Sequence, residues 1–300
     1  MSLIAPDLND ADKAVDMPAP AASPARDAWR MFRRNGSAVA GLVILAAFLL
    51  MTLIGPKLYP VDPFDIVSAP LSPPGEEGAL LGTDYLGRDI TAGIVNGGKV
   101  SLAVGLIAAA LTMTIGVTVG ALAGFYGGMV DRVLMRLTEV FQVMPPLLLA
   151  MAIVTIFSPT LWSVAVSIGI VSWTSSARLT RAEFLRIKGL EYVKAARSIG
   201  ARNRRLIWRV VLPNALPPLI VSATLTTGVA ILFESGLSFL GLGDPNLMSW
   251  GRMMGGNRPY MLDAWWAATI PGVAIFLTVL SISLIGDGLN EAFNPRLRER

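Results

Sequence analysis

The chain has 300 residues, of which 53% are hydrophobic and only 15% are charged, and its mean hydropathy is +0.59. Such a composition excludes an ordinary water-soluble domain and indicates a polytopic membrane protein. The net charge is +4 and the chain has no Cys and no His, which excludes disulfides, thiolate chemistry and histidine-based catalysis or metal binding. The basic residues follow the predicted membrane topology, so we expect no nucleic-acid partner.

The first third of the chain predicts a tail, one membrane helix and a loop. Residues 1–27 are rich in Ala, Pro and Asp without apolar periodicity, which is typical of a disordered cytoplasmic tail. Residues 28–56 are predicted to form the first transmembrane helix, because a basic stretch precedes an uncleaved apolar run at 37–54. Residues 57–100 are polar and rich in Pro, Gly and acidic residues, and we predict an external loop there.

One segment of that loop mimics a nucleotide-binding motif. Residues 93–99 read GIVNGGK and match the spacing of a phosphate-binding loop, but Val100 follows in place of the Ser or Thr that would hold magnesium. No apolar strand precedes the segment. We therefore interpret the match as chance, and we predict no catalytic residue, cofactor site or metal site in this chain.

Residues 101–300 are predicted to form a core of five further membrane helices, which makes six in an all-α membrane protein. The five predicted spans are 101–125, 140–157, 161–176, 215–236 and 269–285. In the first of them Gly116, Gly120 and Gly124 lie on one helix face, where small residues allow close packing. With both termini cytoplasmic, 20 of the 25 Lys and Arg residues are on the inside, which supports this orientation.

The most basic segment lies in a predicted cytoplasmic loop at 178–213. Residues 191–214 read EYVKAARSIGARNRRLIWRVVLPN, and their apolar residues recur at spacings of three and four. This pattern predicts a helix with one apolar side that includes Val193, Ala195, Ala196 and Ile199. Gly200 is expected to separate two short helices and Pro213 to end the second. Such a segment between two spans is predicted to dock onto another protein; the alternative is a positive loop that only sets topology.

The same segment resembles the signature of permease subunits in binding-protein-dependent ABC importers. That signature is E-A-A, three residues, G, nine residues and I-x-L-P, and here Lys194 replaces the Glu and Val210 replaces the Ile. The resemblance implies a coupling helix that fits a groove in an ATPase subunit. The residues it implicates are Glu191, Lys194, Ala195, Ala196, Gly200, Leu212 and Pro213.

Further segments resemble the dipeptide and oligopeptide branch of that family. These are LGTDYLGRD at 81–89, GKVSL at 98–102, LSFLGLG at 237–243, SWG at 249–251 and the ending that starts with GDGL at 286–289. In that ending Asn290 and Asn294 replace the usual Arg and Asp. The resemblance extends over nearly the whole chain from Ala28 onward.

The resemblance implies a type I ABC importer permease fold in the bacterial cytoplasmic (inner) membrane, and ATP-driven import of di- or oligopeptides by alternating access. The implied partners are a homologous second permease subunit, two cytoplasmic ATPase subunits that bind ATP and magnesium, an external solute-binding protein and the lipid bilayer. Glutathione and nickel complexes are alternative cargoes of the same branch. An ion-coupled secondary transporter and an intramembrane enzyme are the rival classes. The first is disfavoured because the spans hold hardly any ionisable residue, and the second because the chain has no His, no Cys and no paired Asp in its predicted spans.

Glu234 is the exception, since it is a carboxylate within the predicted fifth span. One interpretation is structural: Glu234 accepts hydrogen bonds from the external loop or from a partner permease. The other is that it lines the translocation path and meets the cationic amino terminus of a peptide. We favour the structural role, because a carboxylate in an apolar span must be paired or hydrogen-bonded.

Overall fold

Helices make up most of the chain in the computed structural model, which describes residues 24–76 and 78–293. Within these ranges there is no strand, and the segment between α2 and α3 contains only two isolated bridges. The helices are α1 (Pro24–Arg34), α2 (Gly36–Leu58), α3 (Ile90–Tyr126), α4 (Gly128–Val143), α5 (Pro146–Phe157), α6 (Leu161–Lys188), α7 (Glu191–Ser198), α8 (Asn203–Arg205), α9 (Leu212–Phe239), α10 (Trp250–Asn257) and α11 (Trp265–Phe293), with a π-helical turn at Leu206–Val211 and a 3-10 turn at Arg258–Tyr260.

Among the described residues, four helical segments are long and apolar enough to cross a membrane, and the bent pair α4 and α5 is a fifth if it counts as one span. The four are Gly36–Leu58, Ile90–Tyr126, Asn203–Phe239 and Trp265–Phe293. The predicted number of six membrane helices is reached only if α6 is counted as well. That helix is long enough, but its Ser and Thr residues dilute its apolar character.

The predicted tail at 1–27 and the predicted external loop at 57–100 both end earlier than expected. A helix begins at Pro24, so the tail predicted for 1–27 ends earlier, and residues 1–23 lie outside the described range. α3 begins at Ile90 rather than at 101, which shortens the predicted loop. The physical cause is a helix cap: the Asp89 carboxylate accepts the backbone N–H of Thr91 at 2.6 Å and that of Ala92 at 3.3 Å.

The predicted third span is broken. α4 and α5 meet at an angle of 88° around Pro145 and Pro146. Met144, which precedes the first proline, has an extended backbone with φ −75° and ψ 133°. A residue before proline is disfavoured in the helical region, and the proline has no N–H to continue the ladder. The two consecutive prolines therefore change the direction of the chain, whereas the prediction placed them near the start of one continuous helix.

Helix lengths around the basic segment also differ from the prediction. α6 continues to Lys188, so Arg178 lies on a helix and not in the predicted loop. Pro213 does not end a helix, because the chain runs from Asn203 to Phe239 without interruption. A π-helical turn at Leu206–Val211 precedes Pro213, and the wider turn accommodates a backbone that lacks one hydrogen bond.

α3 and α6 form the centre of the bundle, and the glycine face predicted on α3 is confirmed. A Cβ at Gly116 would lie 2.9 Å from the Trp173 carbonyl oxygen, and a Cβ at Gly120 would lie 2.2 Å from the Ala177 carbonyl oxygen. The two backbones therefore approach too closely for any larger residue. α9 packs against both of these helices, α2 packs against α3, and α11 packs against α2 and α9. The predicted ending GDGL lies within α11, and residues 294–300, including Asn294, lie outside the described range.

Candidate functional site

The turn after α7 is built around Gly200. Its φ is +88°, a region that only glycine enters without strain. The N–H of Gly200 bonds to the Arg197 carbonyl at 3.0 Å, and the N–H of Ala201 bonds to the Ala196 carbonyl at 3.1 Å. This pair of bonds is a Schellman motif, which ends a helix and satisfies its last carbonyls. The predicted role of Gly200 as the residue that separates two helices is confirmed.

α7 has a buried side and an exposed side, and the residues predicted to share one apolar side are divided between the two. Val193 is buried and Ala196 is half-buried in a cluster with Phe184 and Leu206. Ala195 is exposed, and the side chain of Ile199 is 86% exposed. Ala195 and Ala196 are one residue apart, about 100° around the helix axis, so they do not form the single apolar face that was predicted.

The exposed side of α7 carries a small apolar patch, which we call the α7 patch: Tyr192, Ala195 and Ile199. These residues are spaced by three and four, so they share one face, and Tyr192 is 46% exposed. The sequence pattern did not single out Tyr192, and it placed Ile199 on the same apolar side as Val193. The position of each residue around the helix axis could have separated the two sides. Val193 and Ala196 pack inward, and the α7 patch lies about a quarter to a half turn away from them around the axis.

Charged residues flank the α7 patch without pairing inside the described part of the chain. Glu191 lies in the first turn of α7, where a negative charge is favourable, and both Glu191 and Lys194 are exposed. Neither forms a salt bridge among the residues that the structure describes. Lys194 thus presents its charge at the surface, where a partner of this chain would meet it.

The second half of the segment is anchored to the bundle and basic on the outside. Leu206 and Val211 are fully buried, Leu212 is half-buried, and Pro213 is exposed. Trp208 is 61% exposed and was not singled out from the sequence. It lines an open cavity of about 470 Å³ together with four arginines: Arg202, Arg204, Arg205 and Arg209.

Two contacts fix this segment against the end of α3. The guanidinium of Arg197 lies 5.7 Å from the centre of the Phe125 ring, and the ammonium of Lys188 lies 5.6 Å from it. Lys188 also donates to the Phe125 carbonyl. Close by, Arg181 of α6 forms a bidentate ion pair with Asp131 of α4, with N–O distances of 2.5 and 2.6 Å. α7 therefore contacts the ends of α3 and α6, and the ion pair joins α6 to α4 beside it.

Glu234 lies far along α9 from this segment and is almost fully buried, at 2% exposure. Its carboxylate accepts a hydrogen bond from the Ser238 hydroxyl at 2.7 Å and a longer one from Ser235 at 3.4 Å. The hydroxyls of Ser101 on α3 and Ser249 at the start of α10 also face it. The carboxylate is thus surrounded by donors from three elements of its own chain.

The described residues show no group of three or more side chains suited to hold a metal ion. The GIVNGGK segment lies inside α3 and is helical. A Cβ at Gly97 would lie 3.2 Å from the Trp250 ring, and one at Gly98 would lie 2.6 Å from it. These glycines therefore serve helix packing, and the segment does not have the loop conformation that cradles a phosphate.

Comparisons with known proteins agree along the length of the chain. Residues 116–299 match the family described as the inner membrane component of binding-protein-dependent transport systems, and residues 23–74 match the N-terminal transmembrane domain of oligopeptide transport permease C. The chain is 40% identical to the di/tripeptide transport system permease protein DppC of Pseudomonas aeruginosa (strain UCBPP-PA14), over 92% of this chain and 93% of that protein.

Two other relatives and one solved structure extend the comparison. Identity is 39% to the dipeptide transport system permease protein DppC of Bacillus subtilis (strain 168), over 93% of this chain and 88% of that protein. It is 37% to the glutathione transport system permease protein GsiD of Pectobacterium atrosepticum, over 92% of each. The inward-facing MetNI methionine ABC transporter has a chain of similar fold, with a TM-score of 0.57 and 22% identity over 66% of this chain and 94% of that one.

Proposed function

The chain belongs to the family of inner membrane components of binding-protein-dependent transport systems, and from that premise we propose that it is the permease subunit of an ATP-driven importer of di- and oligopeptides. The chain is a transport subunit and not an enzyme. Its cargo is proposed from its relatives, since proteins 34–40% identical to it over at least 91% of its length are named as dipeptide, di/tripeptide or oligopeptide permeases.

The proposed complex contains a homologous second permease, two cytoplasmic ATPase subunits that bind ATP and magnesium, and an external solute-binding protein. Both termini of this chain are cytoplasmic in the proposal, which places α7 on the cytoplasmic side. The α7 patch then contacts an ATPase subunit. When ATP closes the ATPase pair, α7 moves with it and pulls on α6 and α9, which alternately open the bundle to each side.

One observation carries this mechanism: α7 exposes Tyr192, Ala195 and Ile199 on a short helix whose other side packs onto α6 and onto the π-helical turn that leads into α9. An apolar patch on a rigidly mounted helix is suited to transmit the motion of a partner. The described spans contain no pair of acids around Glu234, which an ion-coupled transporter would use for its ion site.

A deletion strain tests the cargo. Cells without this chain should lose growth on a dipeptide as the only source of a required amino acid, and the chain supplied from a plasmid should restore it. Glutathione is the second candidate cargo, favoured by the GsiD relative. Restored growth on glutathione but not on any dipeptide would assign the chain to glutathione and contradict the peptide proposal.

A further inference from the structure

A cavity of about 340 Å³ lies at the end of the molecule opposite α7, between the turn at 84–88, the end of α9 and α10. Its size falls within the range of small-molecule sites, roughly 300–1,000 Å³. The walls combine apolar side chains with two cations and one carboxylate. Its lining includes Phe239, Met248, Met253, Asp84, Arg88 and Arg252.

Several polar groups of this cavity are hydrogen-bonded within the chain, and one buried donor is not. Asp84 Oδ1 accepts the backbone N–H groups of Leu86 and Arg88, each at 2.8 Å. Asn257 accepts from the N–H of Tyr85 at 3.1 Å and donates to the Met253 carbonyl at 2.8 Å. The Nε of Arg88 is buried and donates to no acceptor in the part of the chain that the structure describes. A buried donor without an acceptor is unfavourable and indicates a missing partner.

The second cation is held in place and left unneutralised. Nη1 of Arg252 donates to the carbonyls of Asp244 and Leu247 at 3.2 and 3.3 Å, which fixes its guanidinium at the cavity wall. The guanidiniums of Arg88 and Arg252 each lie 5.2 Å from the centre of the Phe64 ring. Burial lowers the pKa of Arg252, and the neighbouring charge of Arg88 lowers it further. Neither arginine has a carboxylate within salt-bridge distance among the described residues.

We propose that this cavity binds a carboxylate, and that its occupant is the C-terminal carboxylate of a peptide on its way through the importer. Arginine is the residue best suited to a carboxylate, because its planar fork donates two parallel hydrogen bonds. The apolar walls formed by Phe239, Met248 and Met253 suit the side chains next to that carboxylate. The identity of the occupant rests on the proposed function, whereas the carboxylate specificity rests on the cavity alone.

The test measures binding of Ala-Phe and of its C-terminal amide to the purified full chain in detergent, by saturation-transfer NMR. The unsubstituted chain should bind the free acid at least about tenfold more tightly than the amide, since a charged hydrogen-bonded pair is lost with the amide. Arg88→Gln should abolish this preference, because it weakens binding of the free acid and leaves binding of the amide unchanged. Arg88→Lys should restore part of the preference.

Arg258→Gln is the matched control. Arg258 is nearby, with its guanidinium 5.5 Å from the centre of the Phe239 ring, but it does not line the cavity. This variant should keep the preference for the free acid. Arg88 is the better first target than Arg252, because Arg252 also holds the loop at 244–247 and its loss would disturb the fold.

Three results would overturn the inference: no preference for the free acid in the unsubstituted chain, an unchanged preference in Arg88→Gln, or equal weakening of both ligands. A fourth is that Arg88→Gln weakens docking of the external solute-binding protein and leaves Ala-Phe binding intact, since the occupant is then a protein carboxylate. Peptide uptake by the unsubstituted importer separates the two proposals. Uptake without carboxylate-selective binding refutes this site only, and selective binding without uptake refutes the proposed function only.

Discussion

A carboxylate buried among helices must be hydrogen-bonded, and Glu234 is bonded by its own chain. Ser238 and Ser235 come from its own helix, while Ser101 and Ser249 reach it from two others. Trp250 links the same elements, because its backbone N–H bonds to Ser101 Oγ at 3.3 Å and its indole bonds to the Ile94 carbonyl at 2.9 Å. This arrangement supports a structural role, in which Glu234 ties α3, α9 and α10 together.

The first prediction is that Glu234→Gln retains most transport. The amide keeps an acceptor and the size of the side chain, so the serine hydroxyls stay bonded. Glu234→Leu should lower stability by about 1–3 kcal/mol, because it leaves buried hydroxyls without their acceptor. Uptake of a free-amine dipeptide and of its amino-blocked form, together with thermal melting in detergent, measures both effects. A selective loss of free-amine uptake in Glu234→Gln would instead place Glu234 in recognition of the amino terminus.

The position of Glu234 could be predicted from the sequence, but its surroundings could not. A single acid in an apolar run is visible in the chain, and its need for partners follows from physical chemistry. Ser101 and Ser249 are distant in sequence, and only the packing of α3 and α10 against α9 brings them close. The same holds for Arg88 and Arg252, which share the Phe64 ring only in the folded chain.

At the scale of helices, α3 and α6 are joined by a stripe of glycines, and this leads to the second prediction. Gly120→Ala should destabilise the protein by about 1–3 kcal/mol, because its Cβ would lie 2.2 Å from the Ala177 carbonyl oxygen and 2.6 Å from Thr180 Cβ. Gly236→Ala is the control, since nothing lies within 4 Å of a Cβ there. Thermal melting should fall for the first variant and not for the second; equal melting would contradict the packing described.

The third prediction concerns the turn after α7. Gly200→Leu should abolish coupling to the ATPase and leave membrane insertion intact. Nothing lies within 4 Å of a Cβ at Gly200, so the effect comes from the backbone, where a left-handed conformation costs an ordinary residue about 1–2 kcal/mol. Gly200→Asn is the matched variant, because Asn tolerates this conformation better. Transport and stimulated ATP hydrolysis should fall in the order Gly, Asn, Leu; normal activity of Gly200→Leu would refute the docking assignment.

The helices could be anticipated where a pattern is local, and not where it depends on neighbours. The Gly200 turn and the glycine face of α3 follow from single residue types at fixed spacings. The early start of α3 does not, because residues 93–98 include three glycines, a residue type that disfavours helices, and these glycines pack against Trp250 and Met253. The division of the apolar residues of α7 into a buried and an exposed side was also missed, since the buried side is set by Phe184 and Leu206 from outside α7.

At the scale of the whole molecule, the α7 patch lies at one end of the chain and the cavity with Arg88 and Arg252 lies at the other. The helices α6 and α9 run between these two ends. Nothing in the described residues is arranged to hold or cleave a nucleotide, and the GIVNGGK segment is part of a packed helix. The fourth prediction is therefore that the purified chain neither binds nor hydrolyses ATP above background. Equilibrium binding of a fluorescent ATP analogue measures this, and saturable binding by the chain alone would contradict it.

The claim that this chain is the passive permease of an ATP-driven peptide importer has one direct test. The chain is reconstituted in vesicles with a second permease, the ATPase subunits and the solute-binding protein, and uptake of a labelled dipeptide is measured. We predict uptake that requires ATP on the ATPase side, continues when proton and sodium gradients are collapsed, and stops when this chain is left out. Uptake that follows an ion gradient and ignores ATP would contradict the account.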